Sequence, residues 1–278
     1  MLCEVLNMVY SPDLPEDIPP NFVVGILNST LIWYYITRTS NVLRGGYYRY
    51  TKDYIAPIGL PIEDISQEVV DKVDKMFDYR EAREQLSLDL RQYLGNYEDG
   101  PKLPDVGLFQ PSESTVLDAT TEEYEKLRVG DVRAERDGTS VTVSATARYK
   151  PEDEDAHETD TYGYTETEFV EAFTLVDCSE REAALVAAFV PVAVDDEIAG
   201  FRENATKTNS LVDRLKTITL PDPDDVADDL RRYVETKARA DELDAKIEET
   251  DRLIDEIVYD LYDLTDEEIA IVEEAVAE

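Results

Sequence analysis

Arg38, Arg44, Arg49 and Lys52 stand among Tyr47, Tyr48 and Tyr50, on either side of a Gly45-Gly46 step. A guanidinium bonds two phosphate oxygens, or the edge of a guanine, through paired N–H groups. Tyrosine rings stack on bases or donate to phosphates, and two glycines let the backbone turn or approach a ligand closely. From Ile18 to Lys52, 35 residues, there is no Asp or Glu, although 64 acids in 278 residues would put about eight in such a window. In a chain of net charge -37 this is a basic, aromatic island, the electrostatic footprint of a nucleic-acid contact. The rival reading is structural: the tyrosines fill a core and the arginines pair with carboxylates elsewhere.

The island needs a scaffold. Asn21 is placed to cap a helix, and residues 22–37 are apolar enough for a mostly buried one. At about 1.5 Å per residue that helix is too short to span a bilayer comfortably, and Asn28 and Ser29 interrupt it. Those two side chains are expected to bond neighbouring backbone. Pro57 and Pro61 end the unit. Residues 66–94 have a helical pattern, and Gly95 can terminate it. Glycines and prolines then crowd residues 95–113, the expected linker or ordered loop. Residues 139–149 alternate, with Val141, Val143, Ala145, Ala147 and Tyr149 on one face, and 169–176 is a second strand candidate. Ser179 with Glu182 forms a capping box before a helix over 179–190. Residues 224–262 form a long acidic helix. Leu243, Ile247, Thr250, Ile254, Ile257, Leu261 and Leu264 recur every three to four residues along it and just past its end, a heptad seam suited to an intramolecular helical pair. Thr265 and Glu268 open a last short helix.

Lys and Arg total 27 against 64 acids, yet 42% of the chain is apolar, too much for a disordered acidic polymer. Acidity spread over a normal core is what a salt-rich cytosol selects, because carboxylates keep the surface hydrated while salt screens their repulsion. A halophilic, cytoplasmic protein is therefore expected. The rival is an acidic protein with a basic partner. Cys3 and Cys178 are too far apart in sequence, and too few, for a disulfide scaffold or a zinc site. The first residues lack a basic start and predict no signal peptide.

The order Ile26-Leu27-Asn28-Ser29 in an apolar helix, then Arg44-Gly45-Gly46-Tyr47-Tyr48-Arg49-Tyr50, then residues 51–62 (TKDYIAPIGLPI), resembles the target-recognition domain of TaqI-like adenine-N6 DNA methyltransferases. That domain also occurs in type IIG restriction–modification enzymes and in methylases of BREX-type phage defence. The tail at residues 254–273 is similar to the helical end of the same enzymes. The resemblance implies double-stranded DNA as a partner. It also implies a catalytic methyltransferase domain upstream or on another chain, this chain being the C-terminal part of a larger protein or one piece of a split gene. Arg38, Arg44, Gly45, Gly46, Tyr47, Tyr48, Arg49, Tyr50 and Lys52 would be its DNA-contacting residues. Arg202, Lys207, Arg214 and Lys216, in a lesser basic segment, are a possible second contact.

The catalytic parts of such an enzyme do not occur in the sequence. There is no glycine-rich cofactor turn, and no Asn/Asp-Pro-Pro-Tyr/Phe loop for a flipped base; Pro19-Pro20-Asn21 has the wrong order. S-adenosylmethionine belongs to the implied catalytic domain, and no cofactor or metal is expected here. Asp222 with Glu235 and Lys237 matches a nuclease pattern formally, but Glu235 and Lys237 are two apart on a helix and point away from each other. The lone His157 lies in an acidic loop far from any nucleophile. The expected fold class is α+β, with a recognition domain over 1–95, a small α+β module over 112–200 and a helical region over 201–278. The expected function is DNA sequence recognition for an adenine-N6 methyltransferase, without chemistry of its own. The alternative is a protein-interaction subunit that uses the heptad helix and does not bind DNA.

Overall fold

In a computed structural model the protein is α+β. Residues 15–42, 47–48, 51–153 and 156–277 are described, except the side chains of Lys52 and Ala277. Two compact units emerge: Met1–Ser87 with Ala238–Glu278, and Leu88–Lys237. The expected three-part division runs along different lines, since residues 201–237 pack with the middle of the chain and 238–278 with the start.

The first unit is helical. Helix α1 spans Pro20–Asn28 and α2 spans Thr30–Thr39, where the sequence predicted one helix. The break is Ser29: its extended backbone starts α2, and its hydroxyl accepts from Ile32 N (3.4 Å) and donates to Ile26 O (2.8 Å). Asn21 is not the cap of α1. Pro19 occupies that position and Pro20 the first turn, where a missing N–H costs nothing. A short α3, Lys52–Ile55, follows. The expected 66–94 helix is also two: α4, Gln67–Glu84, capped by Ser66, and α5, Leu90–Leu94, capped by Asp89. Gly95 ends α5 with φ 58°, a conformation that glycine adopts without strain. By sequence position α5 belongs to the second unit.

The second unit holds the sheets. Its strands are β1 (Asp99–Lys102), β2 (Leu108–Pro111), β3 (Glu125–Asp137), β4 (Ser140–Lys150), β5 (Thr165–Glu166), β6 (Val170–Val176) and β7 (Thr219–Pro221). β1 and β7 pair alone, while β2-β6-β4-β3 form an antiparallel sheet with β5 added to β4. The expected linker thus contains two short strands, and it buries Leu103 and Val106 completely. β4 behaves as its alternation predicts: Val141, Val143, Ala145 and Ala147 are fully buried. Helix α6, Glu180–Asp195, closes that face; the Ser179–Glu182 capping box forms in both directions. Helix α7 is Leu211–Lys216.

The long helix α8, Ala227–Leu261, starts in the second unit and ends in the first. Within the first unit Ile254 and Val258 join Phe22, Ile26, Val69 and Val73 in one core. Of the seam, Ile254 is in this core and Ile257 and Leu261 pack against it, so that stretch is covered by this chain's own helices. Gly25 lets α1 and α4 approach: a Cβ there would meet Val69 Cγ1 at 2.5 Å. Helix α9, Asp266–Ala277, opens with the expected Thr265–Glu268 box. Among the described residues no helix is long and apolar enough to cross a membrane.

Candidate nucleic-acid interface

The described part of the island is built on α2. Its start is held from far along the chain: Asp255 of α8 accepts from Thr30 N (2.8 Å) and Thr30 Oγ1 (2.6 Å). A carboxylate there meets free N–H groups and the positive end of the helix dipole. Burial raises the pKa of Asp255, and the Thr30 hydrogen bonds oppose that rise. Ile32 and Ile36 are buried and fix which face of α2 points out. Arg38, in the last turn, is exposed, with its guanidinium 5.3 Å from the Tyr34 ring centroid.

Beyond α2 three contacts hold the described residues. Val42 and Tyr48 form an antiparallel bridge. The Tyr48 ring meets Trp33 edge-on, with centroids 5.3 Å apart, and Asn41 Nδ2 donates to Tyr54 Oη at 3.1 Å. Tyr48 is half-buried and serves as an anchor, whereas Tyr47 next to it is 67% exposed. Asn28 donates to Val24 O at 2.8 Å, bonding the backbone as expected. Lys52 starts α3. Arg44, Gly45, Gly46, Arg49 and Tyr50 lie outside the described residues.

The second predicted set falls in the other unit and divides. Arg202 pairs with Glu197 at 2.7 Å, and Lys216 pairs with Asp213 at 3.3 Å. Lys207 is exposed, and its carbonyl accepts from Thr121 Oγ1. Arg214 faces inward and is 5% exposed, so it is not available to a phosphate. Three residues after Leu211 on a helix, it shares the face that Leu211 and Leu215 bury. Its Nη2 donates to Thr206 O at 2.7 Å, Nε has no partner, and burial lowers its pKa.

A carboxylate pair on α8 underlies the same scaffold. Burial pushes the Asp251 carboxyl up to about 6, helped by the Asp255 carboxylate and opposed by Arg80. The folded state therefore holds this proton more tightly than the unfolded chain, and stability falls as pH rises from about 4 to 6. Asp251→Asn should remove that loss. Urea unfolding in high KCl is expected to show the variant more stable by about 1 kcal/mol at pH 7.5, after solvent screening of a partly exposed group, and equal to wild type near pH 4. Equal stabilities at both pH values would refute the assignment.

Elsewhere the second unit has a cavity of about 940 Å³ lined by Arg136, Arg181 and Arg231 among others. Arg181 pairs with Asp224, and Arg231 with Asp228 at 2.9 Å, so two of these three cations are matched by acids. His157 is exposed, with Nδ1 3.1 Å from Asp153 O. No group of three metal-ligating side chains occurs among the described residues. Comparison with family models, with curated proteins and with solved structures finds no match to this chain.

Proposed function

We propose that this protein is the DNA-recognition portion of an adenine-N6 DNA methyltransferase of a restriction–modification or phage-defence system, acting with a catalytic domain upstream or on another chain. The observation that carries this reading is the acid-free, basic and aromatic segment 18–52 in a chain of net charge -37. Its described part supports the reading: Arg38 and Tyr47 face outward, while Trp33 and Tyr48 pack together behind them. In salt strong enough to screen long-range attraction, such a segment binds through bidentate hydrogen bonds and stacking at contact distance.

The test is binding of the full chain to labelled duplexes in molar KCl, selected from a random-sequence pool. Arg44→Ala with Arg49→Ala is expected to weaken the selected site by tenfold or more, at about 1–3 kcal/mol for each base-reading arginine. Unchanged affinity in the double variant would overturn the residue assignment. Absence of any duplex binding by the wild-type chain would overturn the function. Against the interaction-subunit alternative, Ile254 of the seam is buried with residues of α1 and α4, and Ile257 and Leu261 pack on the same core.

A further inference from the structure

The five-stranded sheet has two unlike faces. α6 covers the apolar one. The register places Arg128 opposite Arg148, Arg133 opposite Ser144, and Thr142 opposite Thr174 on the other face. There Arg128, Arg133 and Gln110 are exposed and Thr142, Ser144 and Thr174 half-buried. The strand pair is also unusual in charge. Residues 125–150 contain Lys126, Arg128, Arg133, Arg136, Arg148 and Lys150 against Glu125, Asp131, Glu135 and Asp137, an excess of cations in a chain whose acids outnumber bases 64 to 27.

Most described arginines elsewhere are held by carboxylates, as Arg83 is by Asp244 and Arg202 by Glu197. Arg128 and Arg133 are held on rings. The Arg133 guanidinium sits 3.7 Å from the Phe169 centroid, and Arg128 sits 4.7 Å from that of Tyr164. A ring face orients a guanidinium without neutralising it, and leaves the N–H donors in its plane free to bond. Three of the acids beside them are already engaged, while Glu135, opposite Thr142, is exposed on the same face. Asp160 accepts from Tyr162 N, Tyr164 N and Arg148; Glu166 accepts from Thr146 and forms an ion pair with Arg148; Glu171 accepts from Ser112 and Thr174. The face therefore presents two fixed, exposed guanidinium groups beside hydroxyls, on a protein that otherwise repels polyanions.

We infer that this face is a second nucleic-acid surface, at which Arg128 and Arg133 hold the phosphate backbone of duplex DNA without reading its sequence. The choice of DNA among polyanions rests on the proposed function; the surface itself lies in the other unit and is independent of the island. Phosphate contacts position a protein on DNA, and base contacts specify the site.

The experiment measures duplex affinity of the full chain against KCl concentration for wild type, Arg128→Gln with Arg133→Gln, and Arg44→Ala with Arg49→Ala, with circular dichroism to verify folding. The sheet variant is expected to bind every duplex more weakly and to alike extents. It should also flatten the slope of log affinity against log salt by about two, one for each phosphate that is no longer neutralised. The island variant is expected to lose discrimination between selected and random duplexes. If the sheet variant keeps the wild-type slope while the island variant weakens, the sheet surface is overturned and the proposed function stands. If only the sheet variant weakens, the inference stands and the island assignment falls. Gln110→Lys, adding a cation at the exposed edge of the same face, provides a second arm that leaves both arginines in place. It is expected to steepen the slope, and an unchanged slope would count against the surface.

Discussion

Moved from molar KCl into dilute buffer, the protein should lose its folded circular-dichroism signal. The excess of 64 acids over 27 bases leaves net charge -37 on 278 residues. At 1 M salt the Debye length is about 3 Å, and each carboxylate interacts only with its nearest neighbours. At 0.01 M it is about 30 Å, and much of the surface repels itself at once. The ion pairs do little to offset this. Arg231–Asp228, Arg239–Glu242 and Lys246–Glu242 are exposed pairs three or four residues apart on α8, the kind that contributes about 0–1 kcal/mol each. Asp251 adds a partly buried component of the same sign, since burial and the neighbouring Asp255 carboxylate both disfavour its charge. A titration from 3 M to 0.05 M KCl checks this, with sucrose as an uncharged stabiliser in a parallel series. Full folding at 0.05 M KCl alone would refute the salt-adapted reading and favour a basic partner as the reason for the acidity.

Phe173→Ala should be the most damaging single substitution in the sheet, at about 3–5 kcal/mol. β6 lies inside the sheet, with Phe173 opposite Pro111 of β2 on one side and Val143 of β4 on the other. Its ring is fully buried and packs 5.0 Å from that of Phe109. Truncation leaves a hole on the buried face of the sheet that rigid strands on both sides cannot close. Total stability of a domain is about 5–15 kcal/mol, so such a loss removes a third or more of it. Phe109→Ala, on an edge strand and half-buried, should cost less, about 1–2 kcal/mol. Urea unfolding in high KCl measures both. A cost below about 1 kcal/mol for Phe173→Ala would mean that this face of β6 is not the centre of the core.

The legible parts of this chain are those with local signals. The alternation of β4, the strand at β6, and the Ser179–Glu182 and Thr265–Glu268 boxes are all formed within a few residues of themselves. β3 was hidden because its outward positions are charged and its inward ones are interrupted at Gly130, where the register shifts. A side chain there would run into Thr146 and Glu166. The break at Ser29 was half visible. Asn28 and Ser29 mark an interruption, but the decisive partner, Asp255, is 225 residues from Thr30. The island was legible as composition, since a missing charge needs no contact to be seen. Arg214 shows the limit of that approach: it counts as a surface cation in a tally, yet helical phase buries it with Leu211 and Leu215. The ring-bound Arg128 and Arg133 escaped for the same reason, as their partners Tyr164 and Phe169 are recognisable only once the strands are paired.

The placement of Asp255, Ile254 and Val258 in the same unit as α1 and α2 also sets an order of events during synthesis. Residues 88–237 leave the ribosome as one continuous stretch and can complete their sheets as soon as β7 has emerged. α1 and α4 emerge first but must wait for Ile254 and Val258 to close their core. At about 5–20 residues per second that interval is roughly 10–30 s. Throughout it the start of α2 lacks the carboxylate that caps it, so a chain arrested before residue 255 would carry the basic, aromatic segment without the scaffold that orders Arg38 and Tyr48. The ordered placement of Arg38 and Tyr48 would thus come only after residue 255 has emerged.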